Sequence, residues 1–586
     1  MRRCKRAIAS VWMALSLMVM GGCSDSKPVE TVSVYVRPAE SGSATAAEQP
    51  ASTSPAQETS DAANATQRST EAETAAPESE PAVNVTEPET TTEPATEPVQ
   101  ETVEATQPPE TTAVPEGPKK PKYVFLFIGD GMGLSHIQAA SYYKAAVEGG
   151  KNYDPAKSSY AGTLLNFQTF PVVGSVTNYN SDSYITDSAS AITAITTGHK
   201  TISEAICVSE DGSVPFETIA EKAKARLGYK VGVVSNANIN HATPAGYYGH
   251  RIERTMYYEL GEDLLASDFD YFGGGSLRQP TGANGDKPDL YELAAQKGYK
   301  VFKDSDASLA KLNGDMGKAL ITSEQRGEGD AMKLRVDAKK GAADLADYVT
   351  GGLKVMGDAQ GFFYGIEGGL IDWAAHENDA GAVVREVLDL EKAVGVALDF
   401  YNAHPDETLI LVTADHETGG FGLGYSNTGY DLYLQGLKNQ KMSYRDYYVK
   451  IALEYRPNNT DWETVVWDIR SLFGLTFDGT YQKGDDPKLK MTTDEVLQLN
   501  AAYLASMKGE TATIGTSAYE MYGVYEPLAF TVTSILGKKC GVKFTTVYHT
   551  AQPIPIYAIG VGAQEFSGTL DNTDIAKKLE RLLGVE

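Results

Sequence analysis

The chain has 586 residues, a net charge of −27 and only four cysteines and eight histidines. It is too long for one ordinary domain, so parts of unequal character are expected. The acidity argues against nucleic acid as the main partner, but it says little about a small anion, because bound metal ions would reverse the local field.

Residues 1–22 read as a lipoprotein signal peptide. Arg2, Arg3, Lys5 and Arg6 form a positive n-region. Ala7 to Met20 is apolar but shorter than the roughly 20 residues a spanning helix needs. Met20-Gly21-Gly22-Cys23 resembles a bacterial lipobox with Met in the usual Leu position, which would make Cys23 the lipidated first residue. A plain secretory signal is the alternative. Residues 23–118 are dominated by Thr, Glu, Ala, Ser and Pro, with Tyr35 the one aromatic. Such a segment has too little apolar surface to offset the entropy of ordering, and reads as a disordered tether. A mucin-like binding stalk is the other reading. Export and a lipid anchor imply the outer face of a bacterial cytoplasmic membrane, or a periplasm-facing one.

The body, residues 119–586, opens with the run Tyr123 to Ile128, followed by Gly129-Asp130-Gly131. Six apolar residues ending in a tight turn read as a buried parallel strand. Similar runs occupy 230–235, 361–366, 408–413 and 555–561, with a helical pattern over Gly381 to Tyr401. The alternation predicts an α/β fold: a layered, mostly parallel central sheet flanked by helices. Ligands of such sheets gather at the carboxyl ends of the strands, where Asp130, Glu367 and Asp415-His416 stand. Gly129-x-Gly131-x-Gly133 fails the dinucleotide spacing, since Leu134 occupies the third glycine position. Residues 425–545, rich in Tyr, read as a largely helical insertion, with a capping box at Thr492 and Glu495.

Three stretches carry residues suited to metal binding and little else: Glu367-x4-Asp372-x3-His376, Asp415-His416 and His549. Carboxylate with imidazole suits zinc and similar divalent ions. Asp372 and His376 are four apart and share a helix face. Ser188 follows Thr186-Asp187 at the start of a helical pattern, where free N–H groups favour an alkoxide and a bound phosphate. An ordinary helix cap at Asp187 or Ser188 is the competing reading. No Gly-x-Ser-x-Gly elbow frames Ser188, so a metal ion is its natural activator. Arg254, downstream of His241-Ala242-Thr243, offers the fork geometry that phosphate oxygens need. His136, His199, His250 and His404 read as structural or exposed. Cys207 and Cys540 could form a disulfide in an exported protein, but spacing does not place them together.

The set GDGMG, TDSAS, HATPA with a downstream Arg, IEGGLIDWAAH, TADHETGG and a late YHTA, in order from Tyr123 to Glu586, resembles the alkaline phosphatase family. One departure is Ile192, where a small residue is usual. The resemblance implies hydrolysis of phosphate monoesters through a phosphoserine on Ser188, with Arg254 clamping two phosphate oxygens. It implies two zinc ions: one held by Asp372, His376 and His549, the other by Asp130, Asp415, His416 and the Ser188 oxygen. Asp130 would also reach a third ion, expected to be magnesium, with Thr243 and Glu367. Metal-bound water has a pKa near 7, so alkaline pH suits the second half-reaction. His241 would touch the third ion or hold phosphate. Trp373 stands where relatives carry Lys, His or Trp, and would line the substrate. Family members are often homodimers. A phosphodiesterase, phosphonate hydrolase or sulfatase is the nearest rival. Neither Cys207 nor Ser188 has the C/S-x-P-x-R context of sulfatases, and Arg254 favours monoesters. A binding lipoprotein with a decayed site would predict gaps among the ligands, and there are none.

Overall fold

A computed structural model describes residues 120–149, 164–357, 360–510 and 516–586. The signal peptide, Cys23 and the tether lie outside the described residues.

Every residue of strand β1, Tyr123–Gly129, is buried, as expected of a central strand covered on both faces. The strands β2 (Val172–Thr177), β3 (Lys230–Asn238), β4 (Tyr271–Gly275), β5 (Tyr299–Phe302), β6 (Lys318–Thr322), β7 (Phe362–Gly368) and β8 (Thr408–Thr413) follow in the chain. Four short strands form two small ladders: β9 (Glu417–Thr418) pairs with β12 (His549–Thr550), and β10 (Gly422–Leu423) with β11 (Val542–Lys543). Strands β13 (Ile554–Gly560) and β14 (Gly568–Asp571) complete the set. Ten of these strands make one sheet in the order β14-β2-β13-β8-β1-β7-β3-β4-β6-β5. All neighbours pair in parallel except β13, which is antiparallel to both β2 and β8. The expected mostly parallel α/β sheet is therefore present.

Helices cover the sheet. The helix Ala380–Ala403 packs on β1, β7 and β8, and Leu345–Met356 on β3, β4 and β7. The first buries Val383, Val387, Leu390 and Val394 at a spacing of three or four, the stripe a sheet-facing helix needs. The excursion after β10 holds the helices Tyr444–Lys450, Trp462–Phe473, Thr493–Lys508 and Pro527–Lys539, and returns at β11. Thr492 and Glu495 make the capping box that starts the third of these. Cys207 and Cys540 are both free and buried, so no disulfide joins them. Burial pushes the Cys207 thiol up to about 12, which keeps it protonated and unreactive.

Candidate active site

The parallel strands deliver their carboxyl ends to one edge of the sheet. Asp130 follows β1, Glu367 lies in the last two residues of β7, and Asp415-His416 follows β8. The chain after β3 turns into the short helix Ala242–Ala245, with Thr243 on it and His241 before it. The chain after β7 forms the helix Leu370–His376, which carries Asp372 and His376 on one face with His376 Nε2 3.3 Å from Asp372 Oδ2. His549, distant in sequence, arrives through the β9–β12 ladder, directly opposite Thr418.

The three imidazoles converge. His376 Nε2 lies 3.1 Å from His549 Nε2, and the rings of His416 and His549 stack at 3.6 Å. His376 Nδ1 donates to the Val547 carbonyl at 2.6 Å and His549 Nδ1 to the Thr186 carbonyl at 2.8 Å. Each such bond fixes the proton on Nδ1 and leaves Nε2 with a lone pair facing the cluster. Metal-binding atoms of Asp372, His416 and His549 all lie within 4.8 Å of one another, and so do those of Asp130, Asp415 and His416. His416 thus belongs to both groups. The resemblance divides these ligands between two ions, but the structure shows no gap between the sets.

Asp130, Glu367 and Thr243 form the adjoining group. Thr243 Oγ1 lies 3.4 Å from Asp130 Oδ2, and the Ser235 hydroxyl donates to Glu367. Burial, and then the repulsion of Asp415, Asp372 and Glu367, push the Asp130 carboxyl well above the usual range. Burial above all pushes Glu367 up to about 7, and burial and Asp372 push Asp415 up to about 6. Burial holds His416 down at about 4 and His549 at about 3, so both are neutral.

This donor set fits divalent cations. Asp130 Oδ1, Glu367 Oε1 and Asp415 Oδ2 are buried and accept no hydrogen bond among the described residues. Crowded carboxylate oxygens without donors are expensive unless a cation compensates them. Neutral His416 and His549 complete the requirement, while Asp372 and the Val547 carbonyl raise His376 above its ordinary value despite burial.

Ser188 begins the helix Ser188–Thr197, with Asp187 as its N-cap accepting from the Ser190 and Ala189 amides. Asp187 is the cap, and Ser188 faces the cluster, its Oγ 3.2 Å from His416 Nε2. Arg254 Nη1 donates to Asp187 Oδ2 at 2.9 Å, and the Arg254 amide donates to the Glu204 carbonyl. Although burial opposes it, Arg254 and the Ser190 bonds bring the Asp187 carboxyl below its usual value. One carboxylate therefore caps the serine's helix and aims the arginine.

His241 and Trp373 stand at the rim. His241 is buried between Tyr257, stacked at 6.1 Å, and the edge of Trp373, at 5.7 Å. Burial, with Arg254 and Arg278, keeps His241 neutral. Trp373 is half-buried, with the Arg445 guanidinium 5.5 Å from its ring. Three supporting residues carry no metal-ligand pattern in the sequence. Asp187 reads there only as a cap. Ser235 sits on β3 opposite Glu367. Thr418 donates to Asp372 Oδ1 at 2.5 Å and lies 3.2 Å from His416 Nδ1. Its place two residues after His416 was the available signal.

The alkaline phosphatase family model matches residues 121–585. Alkaline phosphatase 3 of Bacillus subtilis (strain 168) is 30% identical over 467 residues, covering 79% of this chain and 89% of that protein. Streptomycin-6-phosphate phosphatase of Streptomyces griseus is 29% identical over 357 residues, covering 52% of this chain and 76% of that protein. Among solved structures, a cold-active alkaline phosphatase from a psychrophilic Shewanella sp. superposes with a TM-score of 0.62 at 27% identity, covering 79% of this chain and 99% of that one. The chain therefore belongs to the alkaline phosphatase family and is a phosphatase of phosphate monoesters.

Proposed function

We propose that Ser188 is the nucleophile of a metal-dependent, two-step phosphomonoesterase. The observation that carries this reading is the position of Ser188 Oγ at a helix N-terminus, against His416 and within the reach of an arginine paired to the adjacent Asp187. Asp372, His376 and His549 would hold one zinc ion. Asp130, Asp415, His416 and the Ser188 oxygen would hold the second, and Asp130, Thr243 and Glu367 a magnesium ion. When bound, these ions supply the Lewis acidity that lowers the serine pKa and draws charge from the leaving oxygen.

The chain's own groups do the rest. Arg254 clamps two phosphate oxygens, its fork held by Asp187. Asp187 takes up the Ala189 and Ser190 amides, so it is the positive end of the helix Ser188–Thr197, rather than a set of free amides, that favours the same charge. Ser188 Oγ attacks phosphorus in line as the ester bond breaks, giving phosphoserine and the free alcohol. Water then attacks the phosphoserine, which regenerates the hydroxyl and releases inorganic phosphate. Trp373 has no charge of its own to hold phosphate, so product would be bound more weakly than with a cationic side chain at that position. Upstream, the lipobox around Cys23 supports an exported, lipid-anchored enzyme. Cys23→Ser abolishing incorporation of labelled fatty acid is the expected result there.

The decisive experiment assays chromogenic phosphate monoester, diester and sulfate at pH 8–10. Activity on the monoester should dominate, vanish with a chelator and return with zinc and magnesium. Ser188→Ala should lower it by about three orders of magnitude or more. Monoester activity that survives both the chelator and the substitution overturns the reading.

A further inference from the structure

A cavity of about 460 Å³ lies beside the centre, and none of the candidate metal ligands lines it. Its size is that of a small-molecule site. One wall is the loop Phe544 to Tyr548, which leads into His549. A second is the helix Pro527–Lys539, and a third the turn around Tyr519 to Gly523. Phe530, Phe544 and Val547 give it an apolar floor. Lys538 and Lys543 supply two ammonium groups, while the one acid of the lining, Glu520, is exposed.

The lysines are the informative part. The protein has 78 acidic residues against 51 basic ones, so carboxylates are plentiful. Nearby lysines use them: Lys539 pairs with Glu495 at 2.7 Å and Lys488 with Asp431 at 2.7 Å. Among the described residues no carboxylate comes within ion-pair distance of Lys538 or Lys543. The Lys543 ammonium lies 5.8 Å from the centre of the Tyr425 ring. Lys538 is half-buried, and burial and then Lys543 bring its pKa below the usual lysine value, although Glu495 at longer range works the other way. Lys538 and Lys543 both line this partly apolar cavity, and an anion bound there would offset the repulsion between them.

We propose that this cavity binds an amphipathic organic anion, with its acid group on Lys538 and Lys543 and its apolar body against Phe530, Phe544 and Val547. The occupant would lean on a wall that supports the catalytic centre. The Val547 carbonyl holds His376, and the Tyr548 carbonyl accepts from the Gly419 amide at 2.9 Å.

The test is fluorescence titration of the zinc- and magnesium-loaded enzyme with two probes. One is the aromatic sulfonate 1-anilinonaphthalene-8-sulfonate, the other its uncharged twin N-phenyl-1-naphthylamine. In Lys538→Gln/Lys543→Gln the sulfonate should bind about tenfold more weakly or worse, with the neutral probe unchanged. Ser534→Phe, which fills the cavity, should weaken both probes. Unchanged sulfonate affinity in both variants overturns the proposal, as does equal loss of both probes in the lysine variant. Should the double variant fold poorly, Lys543→Gln alone, at an exposed position, should still weaken the sulfonate selectively.

Discussion

Thr418 places one hydroxyl between residues of the two candidate metal-binding groups. It has one proton, and at 2.5 Å that proton goes to Asp372 Oδ1. Its lone pairs then face His416 Nδ1 at 3.2 Å, which requires the imidazole to carry its proton there. Nε2 is left free, toward Ser188 and Asp130. Thr418→Val keeps the shape and removes both bonds. Zinc affinity, read by chelator competition, should fall about 10- to 100-fold, and Thr418→Ser should restore most of it. An unchanged affinity in the valine variant would remove Thr418 from this role. A second residue-scale effect lies away from the centre. His250 Nε2 is 3.0 Å from Glu221 Oε1, and its Nδ1 is 3.1 Å from the Cys207 carbonyl. Burial works against the charge on His250, yet Glu221 and that carbonyl outweigh it, and the His250 pKa rises above its ordinary 6.5. Glu221, for the matching reason, falls below its ordinary 4.5 despite burial. The histidine's contribution is full below 6.5 and lost as pH rises through its folded value. The glutamate's is full above 4.5 and lost as pH falls through its folded value. The pair therefore stabilises most between those limits. His250→Gln should lower the melting temperature clearly at pH 5.5 and much less at pH 9. An equal drop at both would show that the effect is packing rather than charge.

At the scale of elements, the turn after β1 decides whether the ligands meet. Gly131 has φ +70°, and a Cβ there would sit 2.7 Å from Thr418 Oγ1 and 3.0 Å from Asp372 Oδ1. Its amide donates to Asp415 Oδ1 at 3.1 Å. Gly131→Ala would strain the turn and push apart residues from three different segments. A folded protein with reduced zinc content is the expected outcome, checked by metal analysis of the purified variant. Full metal content would show that the turn absorbs the methyl group. The same scale explains what was readable. The strands β1, β3, β7, β8 and β13 are apolar runs because neighbours cover them, and periodicity finds them. Strand β4 reads Tyr-Phe-Gly-Gly-Gly, although all five residues are buried. Its glycines pack so closely on β3 that a Cβ on Gly274 would overlap the Ser235 carbonyl. Three glycines look like a turn in sequence. Strands β5, β6 and β14 span only four or five residues each, and β2 mixes buried with exposed positions, so neither length nor pattern marked them.

For the whole molecule, the buried carboxylates predict that folding depends on metal. Asp130, Glu367 and Asp415 lie together with unbonded oxygens, an arrangement the chain alone stabilises poorly. Cations that bind only the folded protein add stability by mass action, about 4 kcal/mol at a thousandfold excess over the dissociation constant. Chelation should therefore lower the melting temperature, and added zinc with magnesium should raise it in a concentration-dependent way. A melting temperature indifferent to both would mean that the cluster is stable without cations. The insertion between β10 and β11 belongs to this scale as well. It supplies Arg445 beside Trp373 and one wall of the anion cavity, so it borders the centre without providing its candidate ligands.

The sequence by itself determined the family, the α/β sheet and the chemistry of every candidate ligand. Metal chemistry needs particular side chains, and those residue types survive in order along the chain. Only the tertiary structure decided how they meet. It showed His416 in both ligand groups, and Asp187 both capping the serine's helix and aiming Arg254. It also joined Thr418 to Asp372 and His416, and left Cys207 apart from Cys540. Those are distances between segments far apart in sequence, set by strand order and by the β9–β12 pairing, which no local pattern encodes.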